Sequence, residues 1–156
     1  MQQCFQLPLG KGQGSFQQTG AATVGDQQRI SVAVCGAHLE GQPLNWQLIE
    51  RGGYLLQKTQ SAANYKLYAL AGGPPLRPGM VVAPTGEGRA IEVEVWSLPT
   101  SEFGSFVAGI PAPLGIGKVN LQDGSQVSGF ICEASGLAGA EDISDLGSWR
   151  SYLARK

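Results

Sequence analysis

The sequence predicts an α+β domain, specifically a small mixed β-barrel with short helices. Short β-branched or alternating segments recur from Ile30 onward, and 23 Gly and 9 Pro provide for many turns. The strand-like and helix-like segments follow no regular alternation. A helical bundle, or a parallel sheet covered by helices on both faces, is therefore disfavoured.

Four strands are expected in the first two thirds of the chain, where apolar runs are bounded by glycine or proline. The segment at 90–98 alternates, so Val93 and Val95 share one face while Glu92 and Glu94 share the other. This pattern predicts a strand with one solvated polar face; an acid pair or metal site at the two glutamates is the alternative. The four expected strands span residues 30–35, 53–59, 65–70 and 90–98.

The last third of the chain is expected to form a helix, a hairpin and a final helix. Thr100 is a candidate N-cap for a short helix that ends near Gly109. Asp123 and Gly124 lie between two apolar runs, and this dipeptide predicts a tight two-residue hairpin turn. Asp145 is the expected cap of the last helix. The two runs that flank the hairpin span residues 114–121 and 125–132.

Apolar residues on the inward faces of these strands are expected to form the core. Cys35 and Cys132 are expected there as small buried residues, since free cysteines usually behave in this way. Three Cys and a single His form no disulfide framework and no zinc-ligand spacing. Neither a metal nor another cofactor is therefore expected. The other predicted core residues are Val32, Val34, Leu67, Val93, Val95 and Phe130.

Charge and hydropathy exclude several classes of partner. Eleven Lys and Arg balance twelve Asp and Glu, and the basic residues form no cluster. Nucleic acid is therefore not an expected ligand. No apolar run approaches the roughly 20 residues of a membrane span, and the first residues lack the features of a signal peptide. A cytoplasmic protein without a membrane partner is expected.

The chain divides into two parts by composition. Residues 1–28 are rich in Gln and Gly and contain few aliphatic residues. Such a composition is typical of a flexible tail or linker. Residues 29–156 are expected to form the folded domain.

Strings of residues between positions 30 and 153 carry a family resemblance. They occur in one order along nearly the whole chain: GAHL at 36–39, YKLYAL at 65–70, GGPP at 72–75, IEVEVW at 91–96, FGSFV at 103–107 and IPAPLGIG at 110–117. The last string, with two prolines and two glycines, is the most specific. Together these strings resemble the C-terminal domain of allophanate hydrolases.

This resemblance implies a fold and a function. The fold is γ-glutamylcyclotransferase-like, with a pocket beside the loop at 36–39. In the family, the domain follows an amidase domain and is associated with decarboxylation of the N-carboxycarbamate that the amidase releases. This chain is too short to hold an amidase, so a free-standing homologue beside a separate amidase is expected. Cyclotransferase activity is not expected, because residues 106–113 contain no carboxylate to act as general base.

His38 is the candidate catalytic residue of the implied pocket. An imidazole with an ordinary pKa near 6.5 can give a proton to the substrate nitrogen at near-neutral pH. Backbone N–H groups of the loop could bind carboxylates as a nest, and an arginine could clamp one of them. Two prolines make the segment at 111–113 a stiff pocket wall. The candidate substrate-binding residues are Gly36, Ala37, Leu39, Arg51, Tyr68 and Pro111.

Two other functions stay open. The chain could be a non-catalytic interaction module for an amidase subunit of amidotransferase type, or an enzyme that acts on another small amide or carboxylated metabolite. Arg150, which follows Trp149, is expected to form an ordinary ion pair or cation–π contact. The candidate partners are a small anionic metabolite, an amidase subunit and a second copy of the chain.

Overall fold

A computed structural model describes residues 28–155. Of the predicted tail at 1–28, all but Gln28 lies outside the described residues. The strands are β1 Arg29–Val34, β2 Tyr54–Gln60, β3 Tyr65–Ala69, β4 Pro78–Val82, β5 Glu92–Pro99, β6 Leu114–Asn120, β7 Gln126–Cys132 and β8 Glu141–Asp142. The helices are α1 Trp46–Glu50, α2 Thr100–Ala108 and α3 Trp149–Ala154, with 3₁₀ turns at Ala134–Leu137 and Ser144–Leu146.

The strands form two sheets around one core. The larger sheet has five strands in the order β2-β5-β1-β7-β6, and the smaller has three in the order β4-β3-β8. Strand β1 lies at the centre of the larger sheet, antiparallel to β5 and parallel to β7. The α+β class is confirmed. Among residues 28–155, the two edge strands of the larger sheet, β2 and β6, meet just past their ends: Ser61 and Leu121 form an isolated bridge, and the N–H of Ala62 donates to the carbonyl of Asn120 at 2.8 Å. The larger sheet is therefore joined edge to edge at one end and does not form a fully closed barrel.

The predicted core is confirmed. Each of the six predicted residues is 8% exposed or less, and all belong to one hydrophobic cluster. Cys35 and Cys132 are buried free thiols, as expected. Both faces of β5 contribute to the interior, since every residue of the strand after Glu92 is buried.

The polar face of β5 is not solvated, contrary to the prediction. Glu94 is fully buried and Trp96 beside it is also buried. Nη2 of Arg150 in α3 donates to Glu94 at 2.8 Å, and its Nη1 donates to Glu92 at 3.1 Å. Alternation along a strand shows which residues share a face, but it does not show what packs on that face.

The two predicted helix caps are wrong by a few residues. Thr100 is the first residue of α2, and extended Pro99 precedes it. Helix α3 is capped by Ser148, whose hydroxyl oxygen accepts the N–H of Ser151 at 2.9 Å. Asp145 instead forms an ion pair with Arg89 at 3.2 Å. Left-handed Gly147 separates Asp145 from the helix and prevents it from acting as the cap.

The hairpin between β6 and β7 has a three-residue loop, not the predicted two-residue turn. The N–H of Gly124 donates to the carbonyl of Leu121 at 3.0 Å, and the N–H of Leu121 donates to the carbonyl of Ser125 at 2.8 Å. Gly124 has φ 89°. Asp123 accepts the N–H of Ser125 at 2.9 Å. Such loops place a left-handed residue last, which suits glycine.

Strand β4 is absent from the sequence-based prediction. It begins with Pro78 and Gly79, two residue types that are uncommon inside strands. Proline is tolerated at the first residue of an edge strand, and β4 is an edge of the smaller sheet.

None of the helices within residues 28–155 is long and apolar enough to cross a membrane.

Candidate functional site

The loop after β1 carries the predicted catalytic residue. It forms a turn in which the N–H of Leu39 donates to the carbonyl of Gly36 at 3.0 Å. Glycine is required at position 36 because any Cβ there would overlap the ring of Pro78 at the start of β4. The close approach of β4 to this turn therefore depends on the absence of a side chain at residue 36.

His38 lies in a mostly apolar environment, with 7% of its surface exposed. Its ring lies 4.9 Å from the ring of Phe130 and 5.3 Å, edge to face, from that of Phe106. Nε2 lies 2.7 Å from Oε1 of Gln47. Because Gln47 presents its carbonyl oxygen, Nε2 carries the hydrogen of the neutral ring. Nδ1 has no hydrogen-bond partner within residues 28–155 and is not closed off from water.

The pKa of His38 is lowered from its ordinary value. Burial is the largest cause, because it disfavours the charged imidazolium. The hydrogen bond to Gln47 opposes this effect, whereas the positive charges of Arg77 and Arg51 add to it. The ring of the unliganded protein is therefore neutral near pH 7.

Two small cavities share two lining residues, and one of the cavities is lined by His38. A cleft of about 20 Å³, enough for a water-sized group, is lined by the Gly36–His38 turn, Arg77 and Phe130. A second cavity of about 130 Å³ is lined by the Pro111–Pro113 wall and the Gly72–Gly73 turn. Arg77 and Leu114 line both. Drug-sized ligands need roughly 300–1,000 Å³, so these cavities suit a ligand of only a few heavy atoms.

Arg77 is a candidate site residue that the sequence-based prediction missed. Among the lysines and arginines of residues 28–155, it alone makes no side-chain hydrogen bond, ion pair or contact over an aromatic ring. Its charge instead acts on His38. It directly precedes β4, and because that strand was not predicted, no pattern placed Arg77 opposite the turn at 36–39.

Backbone donors are available on the same turn. The N–H groups of Ala37 and His38 have no acceptor within the described part of the chain. The N–H of Leu39 is already bonded to Gly36, and that of Glu40 donates to Glu94 at 2.8 Å. The N–H of Gly36 also has no acceptor among the described residues, so the free donors of this turn are Gly36, Ala37 and His38, whereas that of Leu39 is used.

Three predicted binding residues lie outside the lining of both cavities. Leu39 is fully buried in the core. Arg51 donates to the carbonyl of Gln47 and to Ser105, each at 3.1 Å, so it reaches His38 only through its charge. Tyr68 lies in β3, paired with Asp142 of β8. Of the other predicted residues, Gly36, Ala37 and His38 line the cleft, and Pro111 lines the second cavity.

Cys35 also lines the cleft but is a poor nucleophile. Burial raises the pKa of its thiol to about 12, with a smaller contribution from Cys132. The reactive form of cysteine is the thiolate, which is scarce at neutral pH for such a group.

Within residues 28–155, no group of His, Cys, Asp and Glu is arranged to hold a metal ion.

Comparison with known proteins places the chain in a family. The sequence profile of the allophanate hydrolase C-terminal domain matches residues 30–154. Urea amidolyase of Saccharomyces cerevisiae is 44% identical over 127 residues, which is 80% of this chain and 7% of that protein. The chain thus spans less than a tenth of the curated relatives that it matches.

Solved structures agree with the sequence match. Kluyveromyces lactis allophanate hydrolase is 42% identical with a TM-score of 0.80, covering 82% of this chain and 21% of that one. A uropathogenic E. coli-specific protein is 33% identical with a TM-score of 0.75, covering 83% of this chain and 98% of that one. A γ-glutamyl cyclotransferase, 13% identical with a TM-score of 0.50, shares the fold alone. The chain belongs to the allophanate hydrolase C-terminal domain family.

Proposed function

We propose that this domain acts in urea and allophanate breakdown by decarboxylating a small N-carboxycarbamate-type anion that a separate amidase releases. The observation that carries the proposal is the unpaired guanidinium of Arg77 beside His38, in the shared lining of two small cavities. A cation left without a carboxylate partner in such a place suits an anionic ligand. The names of the relatives, urea amidolyase and allophanate hydrolase, support the choice of anion.

Binding of the dianion is assigned to three groups. Arg77 can hold one carboxylate in bidentate fashion, since its planar guanidinium matches carboxylate geometry. The free N–H groups of Ala37 and His38 can donate to carboxylate oxygens in the cleft. Pro111 and its neighbours form a rigid wall that limits the length of the ligand.

His38 is assigned the proton transfer. A negative charge in the cleft raises the pKa of the imidazole and opposes the effects of burial and of Arg77. The ring then takes up a proton at Nδ1 as the anion binds, and it passes this proton to the central nitrogen of the anion. The C–N bond breaks with its electron pair remaining on nitrogen, so the dianion plus one proton yields CO₂ and one carbamate anion.

The E. coli relative supports the free-standing role. This chain covers nearly the whole of that protein, which therefore consists of little besides the domain. The domain can thus exist in a relative as an independent chain. Small soluble anions can pass between separate proteins by diffusion, so the proposed activity does not require that an amidase be covalently attached.

Malonate titration tests the proposal, because malonate carries two carboxylates on a one-atom bridge and is stable. Arg77→Met should weaken binding by about tenfold or more, given that a hydrogen bond to a charged group contributes roughly 1.5–3 kcal/mol. Arg51→Met is the matched control and should bind within about threefold of the wild type, because Arg51 lines neither cavity. Equal loss in both variants, or none in either, would contradict the assignment of Arg77.

A coupled assay tests the chemistry separately. Purified amidase supplies the short-lived anion from allophanate, and CO₂ release is followed with and without this protein. His38→Ala should abolish the increase in the rate of CO₂ release that the protein causes. Arg77→Met should reduce this increase chiefly at low substrate concentration. If another small carboxylate binds more tightly than malonate through the same Arg77, and CO₂ release from allophanate is not accelerated, the alternative of an enzyme on another metabolite replaces this proposal.

One observation favours the interaction-module alternative. Four large apolar side chains, Trp46, Ile49, Tyr54 and Leu56, are each about half exposed. Exposed apolar side chains close together in the chain are a common feature of protein-binding surfaces. If the protein neither binds malonate nor releases CO₂, but comigrates with the amidase until Trp46 and Ile49 are changed to serine, the alternative replaces the catalytic proposal.

A further inference from the structure

The turn that carries His38 is attached at its far end to a pair of charged residues. The N–H of Glu40 donates to Oε1 of Glu94 at 2.8 Å, and the carbonyl of Glu40 accepts from Nη2 of Arg150 at 2.8 Å. The same Nη2 donates to Oε2 of Glu94 at 2.8 Å. Both backbone polar groups of Glu40 are therefore held by two side chains that are also paired with each other.

Glu94 is oriented by more than one bond. Nε1 of Trp96 donates to its Oε1 at 3.0 Å, so the carboxylate accepts from a backbone amide, an indole and a guanidinium. Burial alone would raise the pKa of Glu94, but these bonds outweigh it and the pKa is lowered. The carboxylate therefore stays charged although the residue is fully buried.

Stability alone is a weak explanation for this arrangement. Arg150 serves two carboxylates, Glu94 and Glu92, so the three groups carry a net negative charge. Oε1 of Glu92 is buried and has no partner within residues 28–155. Buried ion pairs are often no more stabilising than apolar replacements, and an unpartnered buried oxygen is unfavourable. What the network does fix is the position of one backbone segment.

That segment is continuous with the ligand-facing donors. Glu40 follows His38 by two residues, and Leu39 between them is locked in the core and bonded to Gly36. A displacement of the Glu40 peptide must therefore be taken up by the turn itself. The N–H groups of Ala37 and His38 and the His38 ring would move with it.

We propose that Glu94 and Arg150 are positioning residues for this turn. They do not line either cavity and do not touch the ligand. They hold the Glu40 peptide so that the free N–H groups of Ala37 and His38 and the His38 ring face Arg77 across the cleft. The effect of these two residues on ligand binding rests on the proposed function. The hydrogen bonds by which they hold the Glu40 peptide are present without ligand.

Arg150→Lys and Glu94→Gln test the role conservatively. Lysine keeps the charge but is a point donor that lacks the planar fork of arginine. Glutamine keeps one acceptor for Glu40 and Trp96 but loses the charge that faces Arg150. Both variants should shift the backbone amide resonances of Ala37 and His38 and alter the titration of His38, which is the single histidine of the chain. Both should weaken malonate binding by about tenfold, a loss of about 1.4 kcal/mol.

Arg155→Lys is the matched control. Arg155 follows α3 and forms an exposed ion pair with Glu141 at 3.0 Å, so this change removes a guanidinium from the same end of the chain without touching the turn. Its amide resonances at 37 and 38 and its malonate affinity should match the wild type.

The two proposals fail in different ways. If the wild type does not bind malonate, the proposed function fails, while the amide resonances and the His38 titration still decide the positioning role. If both conservative variants fold and leave those resonances and that titration unchanged, the positioning role is overturned. If Arg150→Lys does not fold, Glu94→Gln alone decides by the same measurements.

Discussion

The imidazole of His38 and the side-chain amide of Gln47 form a partly buried pair, with Nε2 and Oε1 2.7 Å apart. Gln47 lies in α1, and Asn45 just before that helix donates its Nδ2 to the carbonyl of His38 at 2.9 Å. One short helix therefore fixes both the ring and the backbone of the residue. The pair leaves Nδ1 as the nitrogen that can exchange a proton with a ligand.

The first prediction is that His38 titrates below its ordinary pKa of 6.5 in the absence of ligand. Burial disfavours the imidazolium, and Arg77 and Arg51 add to this effect. Because the chain has one histidine, its ring resonances can be followed by NMR against pH without assignment. A midpoint at or above 6.5 in the free protein would contradict a buried imidazole that two arginines repel.

The same shift makes folding stability depend on pH. The unfolded chain takes up a proton at His38 near pH 6.5, whereas the folded chain resists it, so the unfolded state binds more protons as the pH falls. The contribution of neutral His38 to the free energy of unfolding is complete above about pH 6.5, and it declines as the pH falls toward the pKa of the folded state. Urea unfolding at about pH 7.5 and about pH 5.5 should show the loss, and His38→Gln should flatten it. A wild type with equal stability at both pH values would show that the shift is absent.

A third prediction changes the partner of the imidazole. Gln47→Glu places a carboxylate against Nε2, and an opposite charge at this distance favours the protonated ring. The pKa of His38 should rise above that of the wild type, and malonate should bind more weakly because the new carboxylate repels it. Gln57→Glu adds the same charge on an exposed part of β2 and serves as the control. If the two variants give the same His38 titration, the contact with Gln47 does not set the pKa.

The sequence predicts the backbone scaffold of this site better than it predicts where the charged side chains of the site lie. A β-branched run that stops at Gly36 was sufficient to place β1 and the following turn, because strand and breaker signals are local. Arg77 was missed because its position opposite His38 depends on β4, whose opening Pro78 and Gly79 resemble a loop. The pairing of Glu94 with Arg150 joins residues 56 positions apart, and no local pattern reveals it.

Gly36→Ala provides a fourth prediction, which concerns the packing of β4 on the turn. The added Cβ would overlap the ring of Pro78, and relief requires that the turn or β4 move. We expect the free energy of unfolding to fall by about 1–3 kcal/mol, as for an overpacked core, and malonate binding to weaken. Gly115→Ala is the control, since a Cβ at residue 115 meets no atom within 4 Å. Equal urea midpoints for Gly36→Ala and the wild type would show that this close approach is not required.

The last prediction concerns the hairpin loop and tests backbone conformation apart from packing. A Cβ at Gly124 would meet no atom within 4 Å, yet its φ of 89° is one that β-branched residues resist. Gly124→Val should therefore lower the free energy of unfolding by about 1–2 kcal/mol, although it creates no clash. Gly124→Asn should recover part of this loss, because asparagine tolerates the left-handed region. Gly104→Ala is the matched control: residue 104 lies inside α2, also without a neighbour within 4 Å, and the change should stabilise the protein by about 0.5–1 kcal/mol. Thermal unfolding of all three variants measures these differences, and a Gly124→Val variant that melts with the wild type would mean that the loop does not need a left-handed residue at this position.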